Sequence, residues 1–398
     1  ISDKVHKEFR TRVYDLLLDP DAPLTLSPAP AEDVVSPLPP SGGTPVTPLI
    51  SPTTRARTAS MAIRSVVSGQ ESVFRQLTDD KLDTTFPKQE QLGEGVSGTV
   101  YRCKYRSSAG VYALKSMKKE GLRPQDKELI QSEAKIMSQI KHENIVRLYD
   151  AVETPTTYNL VLELVGGGDL LERIIELDEG GDPYTERSAA EVTKFTADAL
   201  AYLHGCGLMH RDIKPDNIML SDPVTLTDIR LTDFGFACEC HGATGLLQQV
   251  AGTCGYMAPE MILKKGYGTA ADMWSLGVMV YILLTGYEPF DGGEDAATDA
   301  NTVKGVYDTS RLDNVSEHAR DLVSQLLQLD PAKRITAYAA VQHPWITDLQ
   351  TDQVPTTDLS GTKANIKALR ARRKLRNAIH ATMFAGRLSR MMKNLGKS

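Results

Sequence analysis

The chain has 398 residues, 41% hydrophobic and 24% charged, enough for one large domain with extensions and typical of a globular protein rather than a fibrous one. No apolar run approaches the roughly 20 residues that span a bilayer, which excludes a transmembrane helix. Residues 361–398 hold eleven Lys or Arg and no Asp or Glu, so with a whole-chain net charge of −6 the first 360 residues carry −17. A basic tail on an acidic body points to an acidic target: the body itself, an acidic protein, a membrane surface or a nucleic acid. The five cysteines (Cys103, Cys206, Cys238, Cys240, Cys254) form no C-x-x-C pair and no zinc spacing, which suits a reducing cytosol.

The chain opens at Ile1 rather than Met and shows no signal peptide, the pattern of a fragment. Over residues 1–19, Val5, Phe9, Val13, Leu16 and Leu17 have helical spacing, and a helix left from an upstream region is expected. Residues 20–85 read as a disordered linker, because residues 20–60 contain ten prolines among Ser, Thr and Gly and cannot build a core. Ser27, Ser36, Thr44, Thr47 and Ser51 each precede a proline and Arg57 lies three before Ser60, both patterns of phosphorylation sites.

From Phe86 the texture changes. Alternating strand-like segments run to Leu114, a helical pattern follows over about 126–140, and strands are expected near 145–151 and 159–164. After Gly168 the chain is mostly helical to about Trp345. A β-rich third followed by a helical remainder predicts an α+β fold of two lobes with a cleft between them.

Leu92-Gly-Glu-Gly-Val-Ser-Gly-Thr-Val100 has the form G-x-G-x-x-G-x-V, in which Gly93, Gly95 and Gly98 allow backbone amides close to a phosphate chain. By itself this pattern also fits a dinucleotide site or a plain hairpin. A dinucleotide fold opens a helix at its glycines, whereas here a strand-like Thr99–Cys103 follows. Lys115 ends the apolar segment Val111-Tyr-Ala-Leu-Lys115 and needs an anionic partner if it is buried. Phosphates and Glu133 are the candidates, and a surface lysine is the alternative. His210-Arg-Asp-Ile-Lys-Pro-Asp-Asn217 is followed 16 residues later by Asp233-Phe-Gly235. Asn217 and Asp233 supply the hard oxygen ligands that Mg²⁺ with a polyphosphate requires, leaving Asp212 to accept a proton from an alcohol.

These motifs, with Ala258-Pro-Glu260, occur in the order and spacing of the eukaryotic protein kinases, and residues 86–346 resemble that family throughout. The resemblance implies the bilobal kinase fold, ATP and Mg²⁺ as cofactors, and a role for each matching position. Leu92, Gly93, Gly95, Gly98, Val100, Ala113, Glu163, Val165 and Asp169 would line the nucleotide. Lys115, paired with Glu133, would hold its phosphates. Asp212 would be the base, Lys214 would neutralise the transferring phosphoryl group, and Asn217 and Asp233 would bind metal. Lys214 in Asp-x-Lys is similar to serine/threonine kinases. Glu260 would pair with Arg334, Asp272 would brace the catalytic loop, and His343-Pro-Trp345 would end the domain.

Glu163-Leu-Val-Gly-Gly-Gly-Asp-Leu170 resembles the hinge of the calcium/calmodulin-dependent kinases, with Asp169 where they usually carry Glu. Asp169 and Asp216 near the substrate groove imply protein substrates with a basic residue before the Ser or Thr. Residues 347–398 then read as an autoinhibitory and calmodulin-binding segment with a regulatory helix, and 371–388 resemble the calmodulin-binding segment of that family. Independently of family, Leu375, Ile379 and Phe384 are spaced so that the first and last stand about 180° apart on a helix, as a partner wrapping both faces requires. An anionic-membrane helix, a nuclear-localisation cluster and a plain solvated helix are the alternatives. Lys363, Lys367, Arg370 and Arg372 are the expected mimics of substrate arginines, with Ile366 and Leu369 adding apolar contacts. Gln249 stands where many relatives carry a phosphorylated threonine, Cys254 replaces the usual proline after Thr253, and Thr362 aligns with an autophosphorylation site. The expected setting is the cytoplasm with nuclear access, with neither a nucleic-acid partner nor a membrane span.

Overall fold

In the small lobe, short alternating segments form a sheet because each buries one face. The computed structural model describes residues 72–373 apart from 96–97, 107–109, 178–183, 224, 241–245 and 352. The helix expected over 1–19, the linker phosphorylation patterns and the tail anchors Leu375, Ile379 and Phe384 lie outside the described residues. The elements run β1 (Arg75–Gln76), α1 (Asp79–Thr85), β2 (Lys88–Gly95), β3 (Gly98–Lys104), β4 (Val111–Lys118), α2 (Pro124–Gln139), β5 (Leu148–Glu153) and β6 (Thr157–Glu163). The sheet order is β1-β5-β6-β4-β3-β2, antiparallel throughout except for β1 on β5. Lys115 therefore sits on the central strand β4, opposite Val100 on β3 and Leu160 on β6.

The linker expected over 20–85 stops short of residue 85. Residues 72–85 are folded on the small lobe: Phe74 is buried, Thr78 caps α1 by accepting from the Lys81 amide, and Leu82 is buried beside Phe86. A two-residue strand and a seven-residue helix are too short to show periodicity, so composition masked them.

The large lobe continues with α3 (Leu170–Glu176), α4 (Glu186–Gly205), β7 (Leu208–Met209), β8 (Ile218–Leu220), β9 (Ile229–Leu231), β10 (Cys238–Glu239), α5 (Pro259–Ile262), α6 (Ala270–Thr285), α7 (Asp295–Lys304), α8 (Glu317–Leu326), α9 (Ala337–Val341) and α10 (Pro344–Thr347). A last helix, α11, covers 360–373. Helix α6 is apolar on all sides and is buried from Ala271 through Thr285, which makes it the axis of the lobe. Two ladders, β8–β9 and β7–β10, hold the loops that face the cleft.

Charges inside this lobe are paired. Glu186 is fully buried and accepts from the Ser316 amide and hydroxyl and from the Trp345 indole. Arg334 meets Glu260 through two bonds of 2.7 and 3.1 Å and also donates to the Ala270 carbonyl. Removing one partner of such a pair leaves a buried charge and costs about 3–5 kcal/mol, while replacing both with apolar groups is far milder. Glu260→Ala is expected to lower the urea-unfolding free energy by about that amount, and Glu260→Leu with Arg334→Met to recover most of it.

Candidate active site

The glycine-rich segment is the β2–β3 hairpin, closed by pairing of Gly95 with Gly98, so it does not open a helix. Gly98 has φ 114°, and a Cβ there would lie 2.4 Å from the Ser116 carbonyl oxygen, so only glycine fits. Beneath the hairpin, Lys115 Nζ lies 2.7 Å from Glu133 Oε1, with both side chains at least nine-tenths buried. Ala113 is buried on the same strand, Leu92 is exposed at the rim, and Val165 packs on the large-lobe core where the chain leaves β6. Glu163 is tied to Arg230 at 2.8 Å, fixing the crossing between lobes.

Asp272, at the first turn of α6, organises the catalytic loop. Its two oxygens accept from the His210 and Arg211 amides at 3.0 and 2.8 Å and from His204 Nε2 at 2.9 Å. These bonds hold Arg211 at φ 67°, a conformation rare for a bulky residue. Burial works against the Asp272 charge, but the bond from His204 and those from the His210 and Arg211 amides outweigh it and hold the carboxyl below its ordinary range. Burial lowers the His210 pKa despite three nearby carboxylates, so that ring is neutral at pH 7 and bonds to the Thr232 carbonyl.

Asp212 is 1% exposed and is enclosed by donors. Lys214 Nζ reaches Oδ2 at 2.8 Å, Thr253 Oγ1 reaches Oδ1 at 2.6 Å, and Asn217 Nδ2 reaches Oδ2 at 2.9 Å. Lys214 also bonds to Thr253 at 2.7 Å. Burial raises the Asp212 pKa, but the Lys214 charge and the bonds from Lys214 and Thr253 prevail over burial and Asp233, so the carboxylate is held ionised. Thr253 entered the sequence reading only as part of a loop motif. Its contact with an aspartate 41 positions away has no local signal.

Asn217 spends Nδ2 on the Asp212 carbonyl and carboxylate, which leaves its amide oxygen as the group available to a cation. Asp233 sits at φ 61°, and the space above Gly235 lies near both Asp233 Oδ1 and Glu133 Oε2. One carboxylate and one amide oxygen, hard and few, suit Mg²⁺ that brings its remaining ligands with a polyphosphate. Among the described residues no cluster of three or more His, Cys, Asp or Glu is placed to hold a metal ion.

Arg211 also reaches the backbone on either side of residues 241–245, directly or through Tyr267. Arg211 donates to the Phe236 carbonyl and to the Tyr267 hydroxyl, and Tyr267 in turn donates to the Gln249 carbonyl. Cys254 directs its thiol at Asp299 Oδ1, 3.6 Å away, a carboxyl whose pKa is raised by burial and by Asp295.

Helix α11 lies along the large lobe. Thr362, Ile366 and Leu369 are buried, and Thr362 donates to the Leu284 carbonyl at 3.1 Å. Gly286 (φ 76°) admits the helix, since a Cβ there would meet Asn365 Cβ at 2.4 Å. Arg370 reaches Asp169 at 2.8 Å while Asp169 also caps α3, and Arg372 lies 3.5 Å from Asp291. Lys367 is exposed and Lys363 is buried. The reading missed Arg373. It donates through two nitrogens to Glu288 at 2.9 and 2.7 Å and to the Tyr256 hydroxyl at 2.6 Å, and lies 3.6 Å from Asp216.

The protein kinase domain family matches residues 86–346, more than half of the chain. The type IV calcium/calmodulin-dependent protein kinases of Rattus norvegicus and Homo sapiens are each 38% identical over 312 residues, 78% of this chain and 63% of the relative. The chain therefore spans less than two thirds of those relatives. The type 1B calcium/calmodulin-dependent protein kinase of Rattus norvegicus is 36% identical over 329 residues, 82% of this chain and 92% of that relative. With the lobes, hairpin and acid cluster described above, these matches place the chain in the protein kinase family, among the calcium/calmodulin-dependent protein kinases.

Proposed function

We propose that this chain transfers the γ-phosphoryl group of ATP to serine or threonine hydroxyls of basic proteins, and that its own tail blocks the groove until calcium–calmodulin removes it. The observation that carries the first part is the buried, ionised Asp212 carboxylate surrounded by Lys214, Thr253 and Asn217. A substrate alcohol entering beside Asp212 would donate its hydrogen bond and then its proton to that oxygen. Lys214 would move from Asp212 toward the charge that develops on the phosphoryl oxygens. Lys115, oriented by Glu133, would hold the α- and β-phosphates under the glycine hairpin, with the base between Leu92, Val100 and Ala113 and against the backbone of Glu163–Val165. Bound by Asn217 and Asp233, Mg²⁺ would supply charge neutralisation for the β- and γ-phosphates. Asp212→Asn is expected to lower turnover about 10²- to 10⁴-fold with nucleotide affinity kept, read by peptide phosphorylation and by nucleotide titration. Undiminished transfer overturns the assignment.

Two acidic sites support basic substrates: Asp169, and the pocket formed by Glu288, Asp216 and Tyr256. Each holds a guanidinium of the tail. Guanidinium–carboxylate bonds of this kind are directional and charge-assisted. Substrates would place arginines in both sites ahead of the phosphorylated residue. On a peptide array Asp169→Lys should reduce selection for one arginine, and Glu288→Lys for the other, each about tenfold, as the loss of roughly 1.4 kcal/mol implies. Equal use of neutral peptides by the unaltered chain counts against the reading.

Autoinhibition is supported by the seat of α11, whose arginines occupy those same sites. The named activity of the relatives supports calmodulin as the releasing partner, through 371–388 with Leu375, Ile379 and Phe384 as anchors. A helix enclosed by calmodulin on both faces cannot also lie on the large lobe, which gives the ligand its preference for the released state. The five cysteines, all free, support a cytoplasmic setting. Thr362 would be open to phosphorylation only after release, since its hydroxyl is buried against Leu284. Deleting residues 359–398 should give full activity without calcium, Arg373→Glu should raise calcium-free activity, and Leu375→Ala with Phe384→Ala should abolish activation by calmodulin. A full chain as active without calcium as the deletion makes the tail a docking segment only.

A further inference from the structure

The segment ahead of residue 86 lies outside the matched kinase domain, yet it enters the core of the small lobe. Phe74 is 4% exposed and sets its ring edge-on to Tyr158 at 5.2 Å. The apolar cluster it joins contains Met117 of β4, Ile130 and Ala134 of α2, Ala151 of β5, and Tyr158 and Leu160 of β6. That cluster is the joint between the strand that carries Lys115 and the helix that carries Glu133: Met117 is two positions beyond the lysine, on the same face of β4, and Ala134 is next to the glutamate. The backbone fastens the segment from outside. Arg75 and Gln76 pair with Val152 and Glu153, the Leu77 amide donates to the Glu153 carbonyl at 2.9 Å, and Arg75 is ion-paired with Asp150.

We propose that residues 72–77 are a clamp on α2, with Phe74 the positioning residue that keeps Glu133 against Lys115. Packed cores transmit small displacements rather than absorbing them, so filling this joint fixes the distance between β4 and α2. The clamp is also removable. A two-residue strand contributes little alone, so its hold rests on one aromatic ring, a partly exposed ion pair and a few hydrogen bonds to Glu153. Whatever binds or modifies the chain just upstream of Ser72 would act on catalysis by lifting Phe74.

The test is a double-mutant cycle on the full chain, with calcium–calmodulin present in every assay, reading kcat and KM for ATP. Phe74→Ala should lower kcat/KM about tenfold, a size common for coupled neighbours, and Phe74→Leu should restore most of it. In a Glu133→Gln background, where the ion pair is already gone, Phe74→Ala should add less than a twofold loss. If Phe74→Ala does not fold by circular dichroism, Arg75→Glu carries the same cycle, because it loosens the clamp from the surface without opening a cavity. Equal proportional losses in both backgrounds, or full activity in the variant that lacks the clamp, overturn the proposal.

Discussion

The buried carboxylate of Asp272 is the constraint on which the catalytic centre rests. It is anchored in α6, buried from Ala271 through Thr285, and so cannot shift without moving the core of the large lobe. Through two backbone amides it holds Arg211 at a positive φ, and that turn delivers Asp212 into the cleft with its side chain already oriented. The strain at Arg211 is offset by bonds from three directions: Asp272 to its amide, Phe236 and Tyr267 to its guanidinium. Because Tyr267 also donates to the Gln249 carbonyl, the same anchor reaches the backbone at position 249.

Electrostatics divides the chain into two interacting parts, but burial decides which charges matter. Of the tail arginines, Arg372 is more than half exposed, and its contact with Asp291 is screened accordingly. Arg373 is enclosed by Glu288, Asp216 and Tyr256, and its bonds to Glu288 and Tyr256 are shorter and less solvated. The apolar side chains Ile366 and Leu369 are fully buried, and each contributes on the order of 1.5–3 kcal/mol. The seat of α11 therefore depends on two apolar side chains and one enclosed arginine more than on the net +11, and its register is set by Gly286, where no side chain would fit.

Most of the site was legible in the sequence because its motifs are local. The glycine hairpin, the catalytic loop and Asp233-Phe-Gly235 carry their chemistry within a few residues, and their types at those spacings admit few other uses. The Lys115–Glu133 pair was readable for a different reason, since a lysine that closes an apolar run of sequence demands a partner if it is buried. What was not legible depends on long-range placement. Thr253 is an ordinary threonine until the fold sets it 2.6 Å from Asp212. Arg373 and Arg372 are adjacent on a basic helix, and only docking shows which faces the groove. The folded stretch at 72–85 was hidden because one phenylalanine and one leucine in a polar context weigh little in any window, though both find cores prepared by other strands.

The two segments that flank the kinase domain act on different lobes, and this bears on how inhibition would work. With α11 seated, Lys115 remains 2.7 Å from Glu133, and Asp212 keeps its bonds to Lys214, Thr253 and Asn217. The tail contacts the acids Asp169, Asp216, Glu288 and Asp291 and leaves Asp212 and Lys115 with the partners described above. Inhibition through this arrangement would be occupancy, not disassembly. Release would then require only that the tail leave, with Lys115, Glu133 and Asp212 already in place. The free energy a partner must supply is limited to the cost of undocking one helix, and for a switch from 1:99 to 99:1 that is about 5.5 kcal/mol. Two buried apolar side chains and one enclosed guanidinium are of that order, so under the proposed autoinhibition the tail would be held tightly enough to block the groove and loosely enough to be removed.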